Sequence, residues 1–365
     1  MDDLQEKREK INIIDKEMAV LFEKRMEIVK DISNFKREHA IPILNSNREK
    51  EVIDENIKYI NNLEYHSYYS LFIKNIMDLS KKYQRRVLKG IDVGFSGVEG
   101  AFAHIASTHV FKDANYHAYP NFQDAYNSVV IGECECCLLP IENSSAGDVS
   151  QVMDMMFSGP LYVNGIYNLK VRQNLLAIKG STIDTIKTVI SHPQALSQCT
   201  KYIQKHKYNT LISANTAIAA MDVKEKNDYT IAAIASEETA KIYGLEIIDH
   251  DINLNNDNTT KFAILSLKCD KSVQDADESI IFFTVKNEAG ALAKAINIIG
   301  EYKFNMRSLR SLPMKELSWQ YYFYVEFDGN IYTSKGMEMV KKLQQYCDKL
   351  KILGSFIEYK NPEDD

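Results

Sequence analysis

The sequence predicts a multi-domain protein: an all-α segment, then an α/β segment, then an α+β segment of ferredoxin-like order. Three changes in the pattern of apolar residues carry this prediction. The first segment repeats apolar residues at three- and four-residue steps, which is the period of a helix. The second alternates short strands with helices, and the third reads strand, helix, strand, strand, helix, strand. We therefore expect three domains, at 1–89, 90–268 and 279–359.

The composition is that of an ordinary globular protein. The 365 residues are 45% apolar and 26% charged, as in typical soluble domains. The net charge of −6 argues against a nucleic-acid-binding protein, which normally carries a basic face. No apolar run reaches the roughly eighteen residues that span a membrane, and the N-terminus lacks the apolar core of a signal peptide. We expect a cytoplasmic protein.

Three of the six cysteines cluster in the stretch Cys-Glu-Cys-Cys at 134–137. Such a cluster is compatible with metal binding. However, it runs into the apolar Leu-Leu-Pro-Ile like a buried strand, and no second Cys/His pair stands nearby at zinc spacing. The pattern favours reduced thiols in a core, and we expect neither a metal nor a cofactor.

The all-α segment is predicted as three helices, at about 4–39, 48–61 and 66–88. A helix of some 35 residues is about 50 Å long, too long for so small a domain to bury. We therefore expect the first helix to pack against a second copy of the chain.

Polar residues fall on or near the apolar faces of these helices: Arg8, Arg25, Lys36, Arg48, Glu49 and Gln84. Surface charge is the ordinary explanation for any one of them. The spacing suggests a site, because Arg25 and Lys36 are about three turns apart and share one face. Arg8 lies about 25 Å from Arg25 along the same helix. Both can hold one small ligand only if Arg8 comes from an antiparallel partner.

These residues, with the stretches EKRMEIVKDISNFK, REKEV and IMDLSKKYQ, resemble the helical chorismate mutase domain across 4–88. The resemblance implies an interlocked dimer in which Arg8 from the partner and Arg25 clamp the substrate carboxylates. It also implies that Lys36 and Gln84 face the ether oxygen of chorismate and that Glu49 binds the ring hydroxyl. The remaining implied pocket residues are Arg48, Ser80 and Asn45, the last where the family often has Asp.

The chemistry of that reaction suits these residue types. Chorismate rearranges to prephenate without an acid, a base or a nucleophile. An enzyme can only hold the dicarboxylate in a reactive shape and stabilise the charge that builds on the breaking ether.

In the α/β segment, several strands end in small polar residues immediately before a helix. Each junction alone reads as a helix cap. Together they predict a crevice at the carboxyl ends of strands, ringed by helix N-termini, which suits an anionic ligand. Gly94, Gly97 and Gly100 match neither a dinucleotide fingerprint nor a P-loop. The junctions are SGVEGAF, PIENSSAG, SHPQALSQC, ANTAIAA and ASEETA.

The stretch NNDNTTKF at 255–262 is ambiguous alone, because Asn and Asp also cluster at plain turns. With GVEGAFAH, LPIENSSAGDV, SHPQALSQC and NTA, in this order, it resembles prephenate dehydratase over the whole segment. The resemblance implies two lobes like a periplasmic binding protein, with the site in the cleft between them. Prephenate there loses its ring hydroxyl and carbon dioxide to give phenylpyruvate, and Thr260 is the essential threonine, whose hydroxyl helps hydroxide to leave. The other implied pocket residues are Asn143, Ser144, Ser191, His192, Gln194, Thr216, Lys261 and Phe262.

Two of these residues raise separate questions. Lys261 stands where the family has Arg, and Lys is a flexible point charge rather than a planar fork. We therefore expect looser binding, with a raised KM and retained turnover that Lys261→Arg would correct. His192 stays open between a general acid and a structural helix cap.

The C-terminal segment resembles an ACT domain of the type fused to prephenate dehydratases. NEAGAL at 287–292 matches the family's Gly-Ala-Leu turn, and RSLP at 310–313 aligns with its Glu-Ser-Arg-Pro, from which Arg310 and Leu312 depart. The resemblance implies feedback inhibition by L-phenylalanine bound between paired domains, in a homodimer or homotetramer. The implied effector contacts are Gly290, Ala291, Leu292 and Ser311.

Together these features predict a bifunctional enzyme of phenylalanine biosynthesis that acts on chorismate and prephenate. Two alternatives stay open from the sequence. The chain retains only the mutase, with Lys261 as the weak point of the dehydratase, or it is a non-catalytic two-lobed amino-acid sensor whose helical segment only dimerises. Thr260→Ala discriminates, because it should remove dehydratase activity and leave the mutase intact.

Overall fold

A computed structural model describes residues 2–38, 46–254, 257–271, 275–314 and 320–359. The chain divides into two units, 1–91 and 92–365. Among the described residues, no helix combines the length and the apolar character needed to cross a membrane.

The first unit is helical throughout its described part. Its elements are α1 (Asp2–Glu38), α2 (Ser46–Ile57), a short 3-10 helix (Leu63–Tyr65) and α3 (His66–Lys89). Val29 on α1 and Ile73 and Met77 on α3 are buried where these two helices pack. Most other apolar side chains of α1 are exposed, because one chain offers them no second surface. α2 ends at Ile57, four residues before the predicted end, in a turn that leads to Asn62.

The second unit begins with the strands and helices of its first sheet. These are β1 (Asp92–Ser96), α4 (Phe102–Val110), β2 (Asn115–Tyr119), α5 (Phe122–Val130), β3 (Cys136–Asn143), β4 (Gly147–Asp148), α6 (Ser150–Ser158) and β5 (Tyr162–Lys170). The chain then enters a second sheet and returns to the first with β11 (Thr259–Ser266), which inserts antiparallel between β3 and β5. The order of the first sheet is β16-β5-β11-β3-β1-β2, where β16 is Glu358–Tyr359 near the end of the described chain, with β4 paired to β3.

The second sheet has the order β10-β6-β9-β7-β8. In both sheets parallel strands are joined to antiparallel ones, and helices fill the connections. The second sheet and its connections consist of β6 (Asn174–Ala177), β7 (Thr188–Ser191), α7 (Pro193–Gln198), α8 (Thr200–His206), β8 (Asn209–Ile212), α9 (Thr216–Lys226), β9 (Ile231–Ala235), α10 (Glu237–Tyr243) and β10 (Glu246–Asp249).

The C-terminal segment, 278–359, has the predicted βαββαβ order. Its sheet runs β13-β14-β12-β15, the ferredoxin-like arrangement. A final short strand, β16, pairs in parallel with β5 of the first sheet. The elements are β12 (Glu278–Thr284), α11 (Ala291–Glu301), β13 (Met306–Pro313), β14 (Tyr321–Asp328), α12 (Ser334–Leu343), β15 (Lys349–Phe356) and β16 (Glu358–Tyr359).

Alternation along β12 shows how this segment is built into the second unit. Ile281 and Phe283 face α11 and α12, whereas Ile280 and Phe282 join a core with residues of the first sheet, as the two-residue period of a strand requires. In the shared core Phe157 stacks on Tyr322 with ring centroids 4.3 Å apart. The C-terminal segment therefore packs on the first sheet within the unit 92–365.

Two of the clustered cysteines, Cys134 and Cys137, belong to this core. Cys136 and Cys137 lie on β3, and Cys134 just precedes it; all three are buried free thiols. Burial raises the pKa of each thiol. Among the residues described, no group of three or more His, Cys, Asp or Glu side chains is arranged to hold a metal ion.

Candidate active sites

A cavity of about 420 Å³ lies between the first and second sheets. The first sheet contributes residues at the ends of β1, β3 and β11, and the second contributes the starts of α7 and α9. Five of the sequence-predicted residues meet here: Asn143, His192, Gln194, Thr216 and Thr260. We call this space the Thr260 cavity.

Helix N-termini supply the electrostatics of the Thr260 cavity. α4, α5 and α9 begin at its wall, with Asn121 and Asn215 capping the last two. The first N–H groups of a helix have no partner inside the helix and carry partial positive charge. None of the described residues that line the cavity is Lys, Arg, Asp or Glu. The cavity is therefore suited to an anion held by amide donors and polar side chains.

Hydrogen bonds fix the orientation of the Thr260 hydroxyl. Gln194 Nε2 donates to Asn143 Oδ1 at 3.0 Å, and Asn143 Nδ2 donates to Thr260 Oγ1 at 2.9 Å. Asn143 Oδ1 also accepts from the backbone N–H groups of Ser145 and Ala146, which fixes the amide's direction. Because Thr260 Oγ1 accepts from Asn143, its own hydrogen remains for a ligand.

His192 acts as a helix cap at the edge of the cavity. Its Nδ1 accepts the backbone N–H of Gln194 at 3.2 Å at the start of α7. Partial burial lowers the pKa of the ring. A neutral ring that already accepts at Nδ1 carries its proton on Nε2, so His192 is fitted to donate a hydrogen bond and poorly fitted to be a strong acid at neutral pH.

Three other predicted residues lie outside the wall of the cavity. Ser191 is fully buried, and its hydroxyl donates to the Ile234 carbonyl at 2.6 Å. Ser144 bonds the backbone of Asp257 and Thr259 in the loop that precedes β11. Phe262 is a buried core residue of β11. Their contacts support the site and do not reach into it.

The structure contradicts the expectation that Lys261 contacts a ligand beside Thr260. Consecutive residues of a strand face opposite sides, so Lys261 projects from the other face of β11. There its Nζ lies 2.9 Å from Glu326 Oε1 on β14. Asn45 and residues 255 and 256 of the NNDNTTKF stretch lie outside the described residues.

Several cavity residues were missed by the sequence reasoning, namely Asn121, Gln151, Gln173, Gln198 and Asn215. Asn121 had a usable signal, because an Asn three residues before Asp124 is a helix-start pattern, and its side chain caps α5. Gln173 had none, since it lies in the connection from β5 to β6. Its Oε1 is buried without a hydrogen-bond partner among the described residues.

In the helical unit, the structure gathers part of the predicted mutase set between α1 and α3. Arg25 donates to the Ser80 hydroxyl, and partial burial lowers the pKa of its guanidinium. Gln84, one turn beyond Ser80, is 8% exposed, and its Oε1 has no partner among the described residues. Glu49 on α2 accepts from Lys81 Nζ at 3.0 Å.

Other members of the predicted mutase set are more exposed in the single chain. Arg8 is exposed near the start of α1, and Arg48 forms a surface ion pair with Glu51 at 3.1 Å. Lys36 is half-buried near the end of α1. Arg8 lies seventeen positions before Arg25 on one continuous helix, so the two do not meet within one chain.

One predicted effector residue, Leu292, lines a different cavity, of about 380 Å³, in the C-terminal segment. We call it the Leu292 cavity; its wall also includes Val285, Tyr321 and Phe323. Gly290 caps α11 with φ of +84°, a conformation that favours glycine. Ala291 opens the helix. Ser311 is exposed on β13 and does not line the cavity.

Comparison with known proteins matches both units. The family model of prephenate dehydratase matches residues 93–270, and that of chorismate mutase type II matches residues 7–85. The bifunctional chorismate mutase/prephenate dehydratase of Buchnera aphidicola subsp. Acyrthosiphon pisum is 30% identical over 369 residues, which covers 96% of this chain and 95% of that one.

Solved structures resemble the second unit. A prephenate dehydratase from Arthrobacter aurescens, in complex with L-Phe, superposes with a TM-score of 0.67 at 25% identity and covers 73% of this chain and 89% of its own. A quorum-quenching acylase, GqqA, gives a TM-score of 0.68 at 25% identity over 75% of this chain and all of its own. The near-complete match to a relative carrying both domains decides the assignment: this chain belongs to the family of bifunctional chorismate mutase/prephenate dehydratases.

Proposed function

We propose that the Thr260 cavity is the dehydratase site and that the Thr260 hydroxyl donates a hydrogen bond to the departing group. The observation that carries the proposal is the hydrogen bond from Asn143 Nδ2 to Thr260 Oγ1. This bond leaves the hydroxyl hydrogen for the group that must depart. Prephenate carries two carboxylates, and the amides at the starts of α4, α5 and α9 provide complementary partial charge.

The reaction follows from this arrangement. The bond from the ring to its carboxylate breaks, its electron pair enters the ring, and the ring hydroxyl leaves from the opposite carbon. Thr260 donates a hydrogen bond to that oxygen as negative charge builds on it, and the oxygen departs as water with a proton from solvent or from the hydroxyl. Aromatisation supplies the driving force, so the protein has only to hold the carboxylates and assist the leaving group.

Thr260→Ala and Thr260→Ser test the assignment as a matched pair. With prephenate added and phenylpyruvate followed, the Ala variant is expected to lose about a hundredfold or more in kcat, whereas the Ser variant keeps the hydroxyl and most of the rate. Conversion of chorismate to prephenate should be unchanged in both. Equal dehydratase rates in the Ala variant and the parent chain would remove Thr260 from the mechanism. An absence of dehydratase in the parent, with the mutase active, would favour the mutase-only alternative.

We propose further that the mutase site is completed by a second copy of the chain. Large apolar side chains of α1, including Ile11, Leu21 and Ile28, are each at least half exposed. Arg25, Ser80 and Gln84 gather at the middle of the unit. In an antiparallel pair of α1 helices, Arg8 from the partner subunit reaches the neighbourhood of Arg25.

Active-site complementation tests this arrangement directly. Arg8→Ala and Arg25→Ala each remove one arginine from every site of their own dimer. After subunit exchange, half the dimers are mixed, and each mixed dimer holds one site with both arginines. The mixture should therefore recover about a quarter of the wild-type mutase activity. A mixture as inactive as its components, with exchange verified by mass, would show that both arginines come from one chain.

We propose also that the C-terminal segment is an ACT domain and that L-phenylalanine binds at the Leu292 cavity, in a homodimer or homotetramer. The apolar wall of Val285, Leu292 and Phe323 suits an aromatic side chain, and the N–H groups at the start of α11 suit a carboxylate. Titration calorimetry with L-phenylalanine, using D-phenylalanine as control, should give saturable heat for the L isomer. No heat at millimolar ligand would count against the proposal.

A further inference from the structure

We propose that Lys261 and Arg310 are positioning residues for the dehydratase reaction. Through ion pairs that join the first sheet to the C-terminal segment, they fix the two strands that present Thr260 and Asn143. The proposal rests on the proposed role of the Thr260 cavity. It replaces the expectation that Lys261 binds substrate.

The register of the strands carries the first step. Thr260 lies directly opposite Asn143 across β11 and β3, and Lys261 lies directly opposite Glu142. Since neighbouring residues face opposite sides of a sheet, Lys261 and Glu142 form the reverse side of the Thr260–Asn143 pair. Any force on the rear pair acts on the same stretch of backbone as the hydrogen bond in the cavity.

The rear pair is held from the C-terminal segment by one acidic and one basic side chain, Glu326 and Arg310. Lys261 Nζ lies 2.9 Å and 3.2 Å from the two carboxylate oxygens of Glu326 on β14. Arg310 on β13 contacts Glu142 at 2.6 Å and also Asp148 on β4. β4 pairs with β3 at Glu142 and Asn143, so Arg310 ties β3, which carries Asn143, to the neighbouring β4.

Burial makes these contacts directional rather than loose. The side chain of Glu326 is only 3% exposed, and the side chain of Arg310 is 18% exposed. Tyr324 joins the two ion pairs, because its hydroxyl donates to Glu326 Oε2 at 2.8 Å and its ring lies under the Arg310 guanidinium. A buried carboxylate needs its partner in place, so Lys261 has little freedom to leave Glu326.

The backbone itself is irregular at this point. The pairing of β11 with β3 shifts register between Lys261 and Phe262. A bulge interrupts the ladder and re-aims the side chains beside it. The ladder between β11 and β5 stays in register through Thr260, whereas the ladder toward β3 is interrupted. The ion pairs behind Thr260 therefore add a constraint on the β3 side, where the regular hydrogen bonds are broken.

The test compares Lys261→Met, Glu326→Gln and their double variant in the full chain, on added prephenate. Neither group touches the cavity, so we expect kcat to fall about tenfold while KM stays within about twofold. Lys261→Arg should recover most of the rate. Arg310→Met should reproduce the kcat effect from the second ion pair. Lys342→Met, which breaks an exposed pair with Glu301 in the same segment, is the matched control and should leave both parameters unchanged.

The outcomes distinguish the positioning role from the proposed role of the Thr260 cavity as the dehydratase site. Loss of activity in Thr260→Ala with no change at Lys261, Glu326 and Arg310 overturns the positioning role alone. No effect of Thr260→Ala overturns the site itself. A raised KM with unchanged kcat in Lys261→Met, with Glu326→Gln unaffected, would return Lys261 to substrate binding. If Lys261→Met does not fold, as shown by thermal unfolding, the kcat of Glu326→Gln and Arg310→Met decides.

Discussion

The side chains of Asn143 and Thr260 face each other across β3 and β11, with Asn143 Nδ2 donating to Thr260 Oγ1 at 2.9 Å. A hydroxyl that accepts one hydrogen bond from a fixed amide has its own hydrogen aimed elsewhere. The chemistry of the cavity thus depends on which end of the Asn143 amide points at Thr260.

Asn143→Asp reverses that hydrogen bond without changing the shape of the side chain. A carboxylate oxygen in place of Nδ2 accepts from Thr260, which turns the hydroxyl hydrogen away from substrate, and it adds negative charge to a site for a dianion. We expect kcat with prephenate to fall by about a hundredfold. Gln194→Ala, which removes only the donor to Asn143 Oδ1, should have a smaller effect. Equal losses of kcat in Asn143→Asp and Gln194→Ala would contradict the expectation that the first variant is the more damaging.

Gln84→Leu should stabilise the helical unit while removing its activity. Gln84 Oε1 is buried without a partner in the described part of the chain, and an unsatisfied buried acceptor costs about 1–3 kcal/mol. An apolar side chain of similar size removes that cost and also the donor expected to face the ether oxygen. Thermal unfolding should shift upward, and mutase kcat should fall. A lower unfolding temperature would show that Gln84 has a partner in the assembled protein.

Stability of the second unit should fall as pH rises from about 5 to 7 because of Glu278. Burial raises the pKa of this carboxyl from 4.5 to about 7, and the charges of Glu326 and Glu358 add to the effect. The charge of Arg307 opposes it. The folded state therefore holds a proton that the unfolded state releases, so the stabilisation is complete below pH 4.5 and is lost through pH 7. The expected loss is about 1–3 kcal/mol.

Urea unfolding at pH 5, 6 and 7 measures this loss. Glu278→Gln is expected to flatten the slope of the unfolding free energy against pH. Glu301→Gln, at an exposed ion pair, is the control and should keep it. Parallel slopes for the parent chain and Glu278→Gln would assign the pH dependence to other groups.

Two glycines of α11 should respond to alanine with opposite signs. Gly290 has φ of +84°, and an added Cβ would meet no atom within 4 Å, so Gly290→Ala costs backbone strain alone, about 1 kcal/mol. Gly300 lies inside the same helix with equally open space around it, and Gly300→Ala should stabilise by about 0.5–1 kcal/mol. Thermal unfolding compares the two; destabilisation by both would mean that a neighbouring chain covers Gly300.

The sequence predicted the positions of the helices and of the βαββαβ segment because apolar periodicity is a local property. It also predicted that polar strand ends before helices would ring one crevice. α4 and α9 do begin at the Thr260 cavity, but Ala101 gives α4 no side-chain cap, and α10, which starts within ASEETA, begins at a different cavity. Ser191 could not be placed in this way, because its acceptor, the Ile234 carbonyl, lies on a strand distant in sequence. Gln173 carried no local signal at all.

The error at Lys261 has a different cause. The alternation of a strand was available from the sequence, and with Thr260 facing a cavity it sends Lys261 to the other side. Neighbours in a sequence motif need not share a site, because a strand directs consecutive side chains to opposite faces of the sheet. The sequence could not show that a carboxylate lies on that side, because Glu326 belongs to a segment that packs there only in the folded chain.

β16 has a consequence for any attempt to isolate the dehydratase. The family match ends at residue 270, yet the outer edge of β5 is closed by Glu358 and Tyr359, near the far end of the chain. A chain cut after 270 would expose the unpaired backbone of β5, together with the apolar surface that Phe282, Tyr322 and Phe356 now cover. Open edges of this kind recruit other strands. The shortest stretch expected to fold as a dehydratase without an exposed strand edge is therefore longer than residues 93–270, which match the family model.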